Sequence, residues 1–200
     1  LSLHDALPIL HAHRLTLRTW QEADKAPFAG MSADPAVMQH LRPLPTREAS
    51  DAWVDFQIEH QSTHGFCMWA TELSSSGVFV GAVGLLVVNF RAHFTPAVEI
   101  GWRLAREFWE QGLATEAGRK ALEFGFRELA LPEIVAHASV HNTRSLRVMS
   151  KLGMSHDEAD DFNHPRVSES DPLRRQALYR LARNDWLIST GPTQRPGATS

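Results

Sequence analysis

The chain has one cysteine, Cys67, among its 200 residues. No internal disulfide can form, which agrees with a reducing, cytoplasmic setting. No uninterrupted apolar run reaches membrane-spanning length, so no membrane partner is expected. A basic surplus is missing as well. The net charge is −3 and the pI near 6.4, a balance that argues against a nucleic-acid partner. Histidine is plentiful, yet no ligand pattern emerges. His137 and His141 lie on or just beyond a strand, which separates them by about 13 Å, too far for one metal. No metal is therefore expected. The single tyrosine, Tyr179, reads as structural, and no internal repeat is found.

What is present suits one domain with a sizeable core: 43% apolar and 22% charged residues. Residues 10–188 form that domain. Leu1 to Ile9 read LSLHDALPI, the translation of a common short-read sequencing adapter. Residues 1–9 are expected to be an artefact, which genomic DNA upstream of His11 tests. Residues 189–200 are rich in Gly, Pro, Thr and Ser and are expected to be a disordered tail.

Arg14 to Arg18 alternates as a half-buried strand does. Glu22 to Met31 reads as a short helix stopped near Pro35. Pro43 and Pro45 mark a loop. Thr46 is a good N-cap for an amphipathic helix over Arg47 to His64, with Ala49, Trp53, Phe56 and His60 on one face and Gly65 at its end. Phe66 to Glu72 and Val78 to Asn89 read as a hairpin around Ser74 to Gly77, with a bulge or close approach at Gly81 and Gly84. Ala97 to Leu104 is the next strand. A helix follows Gln111, with Leu113, Ala117, Ala121 and Phe124 facing inward. Glu133 to Val140 is a buried strand, and Asn142 caps a helix to Leu152 with Gly153 at its C-terminus. Ser155 to Phe162 opens as a strand, and Gln176 to Arg183 is the last one. The pattern is a mixed sheet with helices on its faces, hence α/β or α+β.

The stretch Trp109-Glu110-Gln111-Gly112-Leu113-Ala114-Thr115-Glu116-Ala117 joins a strand to a helix through a glycine turn. The first turn of a helix has free N–H groups and the positive end of its dipole, so this is an anion site. The plainer reading is a turn that only shapes the junction.

Three stretches together resemble the GNAT superfamily of N-acetyltransferases. One is Glu99-Ile100-Gly101-Trp102 followed by Trp109-x-x-Gly112-x-Ala114-Thr115-Glu116-Ala117. Another runs from Asn142 to Met154, and the third pairs Asp161-Phe162-x-His164-Pro165 with Leu178-Tyr179-Arg180-Leu181. The resemblance covers His13 to Leu187 and is closest to the RimJ/RimL type, which acetylates protein N-termini. It implies a mixed, mostly antiparallel sheet of about six to seven strands with helices on both faces. It also implies acetyl-CoA as cosubstrate and direct attack by an amine in a ternary complex, by a monomer or homodimer. Two slots depart from the pattern. Trp109 stands where Arg or Gln is usual, and Glu110 where the RimJ/RimL type has Gly. The Tyr general acid common in the superfamily is replaced by Met149.

On this resemblance, the backbone of Gln111, Gly112, Leu113, Ala114 and Thr115 holds the pyrophosphate of acetyl-CoA. The strand at Ile100, Gly101 and Trp102 handles the acetyl group, with an oxyanion donor near Ile100 to Arg103 on a bulged strand. Asn142 guides the pantetheine arm, and Ser145 assists the leaving thiolate. Both residues also read as an ordinary cap and first turn. An α-amine titrates near pH ~8, so a weak base suffices. Glu99, acting through water, is the candidate, and it also reads as a plain strand carboxylate. Trp20, Trp53, Trp69, Trp102 and Trp186 read as core or groove walls, and Cys67 as a small core residue.

The acceptor is expected to be a protein N-terminal α-amine. A polyamine, aminoglycoside or amino-acid analogue is the alternative, and so is a non-catalytic acyl-CoA sensor. Asp157, Glu158, Asp160, Asp161, Glu169 and Asp171 read either as a lure for a cationic acceptor or as a solvated loop.

Overall fold

The computed structural model describes residues 8–191. The 1–9 and 189–200 readings fall largely outside that range. Ser189 and Thr190 do not belong to a tail, since both hydroxyls bond the Trp186 carbonyl and close the last helix.

Nine strands form one sheet: β1 (Leu10–His11), β2 (Leu15–Arg18), β3 (Met68–Leu73), β4 (Phe79–Val87), β5 (Val98–Leu104), β6 (Glu133–Ser139), β7 (Ser155–His156), β8 (Phe162–Asn163) and β9 (Arg175–Ala182). Their order is β1-β2-β3-β4-β5-β6-β9-β7, with β8 also on β9. Only β5 and β6 run parallel. The sheet exceeds the expected strand number because β1, β7 and β8 are short edge pieces of two residues each. The helices are α1 (Lys25–Ser32), α2 (Pro35–Met38), α3 (Arg47–His64), α4 (Leu113–Arg127), α5 (Thr143–Lys151) and α6 (Arg183–Thr190).

The period-2 alternation of β5 sorts its side chains onto two faces. Ile100 is buried on the α4 side, where Trp69 also meets Phe124 of α4 edge-on. Trp102 reaches Ser145 of α5 on that side. On the other face Arg103 lies against Phe28 of α1 and Trp53 of α3. Helices therefore cover both faces of the sheet.

Some local expectations are corrected. The first helix does end just ahead of Pro35, at Ser32, but Pro35 has an unexpected second role: it opens α2 at its first position, where a missing N–H costs nothing. Asp34 caps that helix by accepting from the Ala36 N–H at 2.8 Å. The α3 ends agree with the sequence: Thr46 accepts from Ala49 N–H, and Gly65 turns left-handed at φ 81°. Its buried stripe differs. Ser50, Val54, Gln57, His60 and Gln61 face inward, while Phe56 is exposed. The interior satisfies this polar stripe only in part: Ser50 Oγ, Gln57 Nε2 and both amide atoms of Gln61 are buried without a partner among the described residues. Gln57 Oε1 accepts from Met68 N–H at 3.0 Å, and His60 Nδ1 meets the Phe66 carbonyl at 2.7 Å. Gly81 and Gly84 do sit where strands approach closely. A Cβ on either would lie 2.1 Å from a neighbouring carbonyl oxygen. The ladder irregularity falls between β3 and β4, at Thr71/Glu72. β5 pairs with β4 without interruption from Val98 to Leu104, so no bulge interrupts β5 on that side.

Candidate active site

β5 is bound to its two neighbours unequally. It pairs with β4 over its whole length, but with β6 it registers only at Glu99↔Val135. Beyond that pair its C-terminal half has no registered partner on the β6 side. A cavity of about 340 Å³ wraps this free end, a size usual for small-molecule sites.

One wall is the turn into α4. Gly112 is left-handed at φ 76°, and α4 has no side-chain cap. Glu116 N–H is the first to find a helical acceptor, the Gly112 carbonyl, at 3.0 Å. Leu113, Ala114 and Thr115 line the cavity, and their N–H groups have no protein acceptor among the described residues. Unclaimed amides at a helix start are what a phosphate would satisfy. Gln111 is turned away: its side chain donates to the Glu107 carbonyl, and its own carbonyl accepts from Arg14. Glu116 is held by Arg14, whose N–H and guanidinium outweigh burial and keep the carboxyl below its ordinary range.

The departures at 109 and 110 acquire a physical account. Glu110 has φ 60°, a left-handed backbone that costs a non-glycine residue about 1–2 kcal/mol. Glycine in that slot therefore meets a steric need, and Glu110 carries the strain with its side chain exposed. Trp109 donates its indole N–H to the Leu104 carbonyl at 2.9 Å. Its ring is covered by Arg144, whose guanidinium lies 4.1 Å from the centroid. The cation absent at position 109 thus arrives from α5.

The α5 wall holds Asn142, Ser145, Arg144, Arg147 and Lys151. Asn142 Oδ1 accepts from Ser145 N–H at 3.2 Å, a true cap. Ser145 Oγ accepts from Trp102 Nε1 at 3.3 Å, leaving its hydroxyl hydrogen free to donate. The basic residues of this face were not singled out in the sequence, although their spacing of three and four residues is a readable sign of one helix face. Met149, in the slot of the absent Tyr, is buried in the core.

Ile100 is a core residue, and Glu99 and Gly101 face away from α5. On that opposite face Glu99 Oε2 lies 2.8 Å from His137 Nε2, and His137 Nδ1 lies 3.0 Å from Gln176 Oε1. The Gln176 amide donates to the Leu173 carbonyl, which turns its oxygen toward the ring. Both ring nitrogens therefore face acceptors and favour the imidazolium. Burial opposes that charge, but Glu99 and the two hydrogen bonds outweigh it and raise the His137 pKa above its ordinary value. Phe90, Phe162 and His164 surround the pair. In sequence, His137 stands out only through its spacing from His141, and its carboxylate partner is invisible there. Among the described residues no metal-binding group is found.

Most of the acidic segment is spent locally. Asp160 pairs with Arg180 and His93, and Asp161 with His156. Asp157 and Asp171 cap turns, and Glu169 meets Arg174. Tyr179 stacks on His156 at 4.8 Å, and Cys67 is fully buried, both structural. No helix among the described residues is long and apolar enough to cross a membrane.

The comparisons agree with this geometry. The model of the acetyltransferase (GNAT) domain matches residues 14–155. The Bacillus subtilis protein YkkB is 31% identical over 142 residues, 70% of this chain and 81% of that protein. The FsC-acetyl coenzyme A-N(2)-transacetylase of Aspergillus fumigatus is 29% identical over 94% of this chain and 82% of its own length. In fold, the chain is similar to the solved GNAT-family acetyltransferase of Bacillus anthracis, with a TM-score of 0.73 at 22% identity, covering 88% of this chain and 99% of that one. An uncapped glycine turn into a helix, a strand parted from its neighbour, and a family match spanning both make this chain a member of the GNAT acetyltransferase family.

Proposed function

We infer that this acetyltransferase acts on a primary α-amine by direct attack in a ternary complex, with no covalent acetyl-enzyme. A protein N-terminus is the acceptor class that the RimJ/RimL resemblance supports. The observation that carries the reading is the division of labour across β5. Trp102 and Ser145 face the cavity on one side, and the half-buried Glu99–His137 pair lies on the other.

When bound, acetyl-CoA supplies the thioester acyl group. The residues present fit it: open amides at Leu113 to Thr115, and Arg144, Arg147 and Lys151 beside them. In this reading Glu99 takes the amine proton through a water, and His137, 2.8 Å away, holds the carboxylate aimed. An α-amine near pH ~8 needs no stronger base. The unpaired half of β5 offers backbone N–H to the acyl carbonyl. Ser145 Oγ, anchored by Trp102, supplies the proton to the departing sulfur, the task a Tyr would otherwise perform.

Calorimetry with acetyl-CoA and thiol release across an amine panel test the reading. Micromolar binding with turnover of α-amines is expected. Binding without turnover of any amine would leave an acyl-CoA sensor, and absence of binding would end both readings.

A further inference from the structure

Arg103 is the one side chain of β5 whose charge has no visible purpose. It lies on the same strand face as Glu99 and Gly101, and it lines the cavity. Its Nε and Nη1 are sealed from solvent with no hydrogen-bond partner, and no carboxylate pairs with it among the described residues. Its guanidinium sits 5.1 Å from the Trp53 ring and 5.6 Å from the Phe28 ring. Those rings stack on each other at 4.6 Å, so the arginine stands against a rigid aromatic wall.

Aromatic faces compensate a buried cation only in part. Unpaired buried charges are costly, and folds normally supply a counter-ion. Here burial alone acts on Arg103, pulling its pKa down to about 10, which leaves it charged at neutral pH. A second orphan shares the cavity. His40 Nδ1 is buried without a partner, and burial, then Arg144 and His141, hold its pKa down, so it is a neutral ring with hydrogen-bonding capacity to spare. Glu110, on the exposed loop, is the sole carboxylate on the cavity wall among the described residues.

From these placements the geometry points to Arg103 as the anchor for a carboxylate carried by the acceptor amine, so that the substrate class is an amine bearing a carboxylate a few bonds away. The inference rests on the acetyl-transfer reading of β5 above. Gly101 and Arg103 are two strand positions apart, about 7 Å. An amine presented near Gly101 and Glu99 therefore reaches Arg103 with an α-carboxylate or a short acidic side chain. A polyamine, all cationic, meets repulsion there instead. Of the negative residues in the 157–171 segment, Asp157, Asp160, Asp161 and Asp171 are already committed to local partners, and none of the segment lines this cavity.

The test uses the full chain. Acetylation is measured with alanine against alaninamide, and with amidated tripeptides beginning Asp against Asn. Calorimetry of the coenzyme A-loaded protein with alanine and alaninamide reads binding without turnover. The carboxylate member should be favoured by about ten- to hundredfold in kcat/KM, the scale of a charge-assisted hydrogen bond. Arg103→Met should bring that ratio near unity, and Arg103→Lys should keep part of it. A preference in the alanine pair assigns a free amino acid, and one in the tripeptide pair an acidic N-terminus. A wild-type ratio near unity overturns the inference. So does a ratio that survives in Arg103→Met, or a variant that loses only acetyl-CoA affinity. If no amine is acetylated, the transferase reading fails by itself. The calorimetric preference for alanine, present in wild type and lost in Arg103→Met, then still upholds the anion site, and its absence removes it.

Discussion

The two ends of β5 handle charge in opposite ways. At Glu99 the carboxylate meets His137, and His137 meets Gln176, so each polar group is satisfied within the protein. At Arg103, on the same face, the guanidinium rests on aromatic rings and its sealed nitrogens bond to nothing. A charge paired internally is being positioned. A charge left bare is available to something from outside. The difference separates a group that treats the amine from a group that chooses it.

The largest effect should come from breaking the paired end. Glu99→Gln keeps the shape and removes the base, and kcat should fall by about a hundredfold or more. Thiol release at saturating acetyl-CoA measures it, and a loss of only twofold or so would leave Glu99 a structural partner of His137. Stability should then split by sign. Glu99→Ala leaves a half-buried imidazolium unpaired and should cost about 1–3 kcal/mol, whereas Arg103→Met replaces an unpaired charge by a packed side chain and should stabilise by about 1–3 kcal/mol. Urea unfolding reads both, and equal signs would erase the contrast.

Proton linkage sharpens the paired end further. The pKa of His137 is raised in the fold, so its contribution is complete below the ordinary histidine value and is lost as pH rises through the raised one. The stability gap between wild type and His137→Gln should therefore narrow as pH climbs past neutrality. His60 provides the opposite sign. Burial lowers its pKa, despite the Phe66 carbonyl, and its Nε2 accepts from Val87 N–H at 3.1 Å. The fold should lose stability through this residue as pH falls below about 6.5. His60→Asn should flatten that acid limb in a urea series, and an unchanged limb would exclude His60 as its source.

The smallest effect lies off the strand. Glu110→Gly relieves a left-handed backbone and should stabilise by about 1 kcal/mol while tightening acetyl-CoA by a few-fold. A loss of stability on thermal unfolding would mean that the Glu110 side chain contributes more than its backbone costs.

Much of the fold was readable because its signals are local. Thr46 and Gly65 bound α3 through a cap and a left-handed turn, both set within a few residues. Which stripe of α3 turns inward was not readable, since Gln57 is buried only because Met68 N–H, from another element, awaits it. Pro35 illustrates the same limit at short range: proline ends or begins a helix according to what precedes it, here the Asp34 cap. In the site, the glycine turn at Gly112 and the cap at Asn142 carry their own signatures. Arg144, Arg147 and Lys151 carry a helical periodicity, but only the packing of α5 beside the turn at Gly112 gives it meaning. His137 and Arg103 had none, because their meaning lies in partners present or missing across the sheet.

By itself the sequence determined the family, the order of elements and the turn that exposes the Leu113 to Thr115 amides, because caps, glycines and strand alternation act over a few residues. Only the tertiary structure decided that Glu99 has an imidazole and that Arg103 has no counter-ion among the described residues. Pairing of charges depends on register between strands and on helices packed across the face, and neither is encoded within a local stretch of chain.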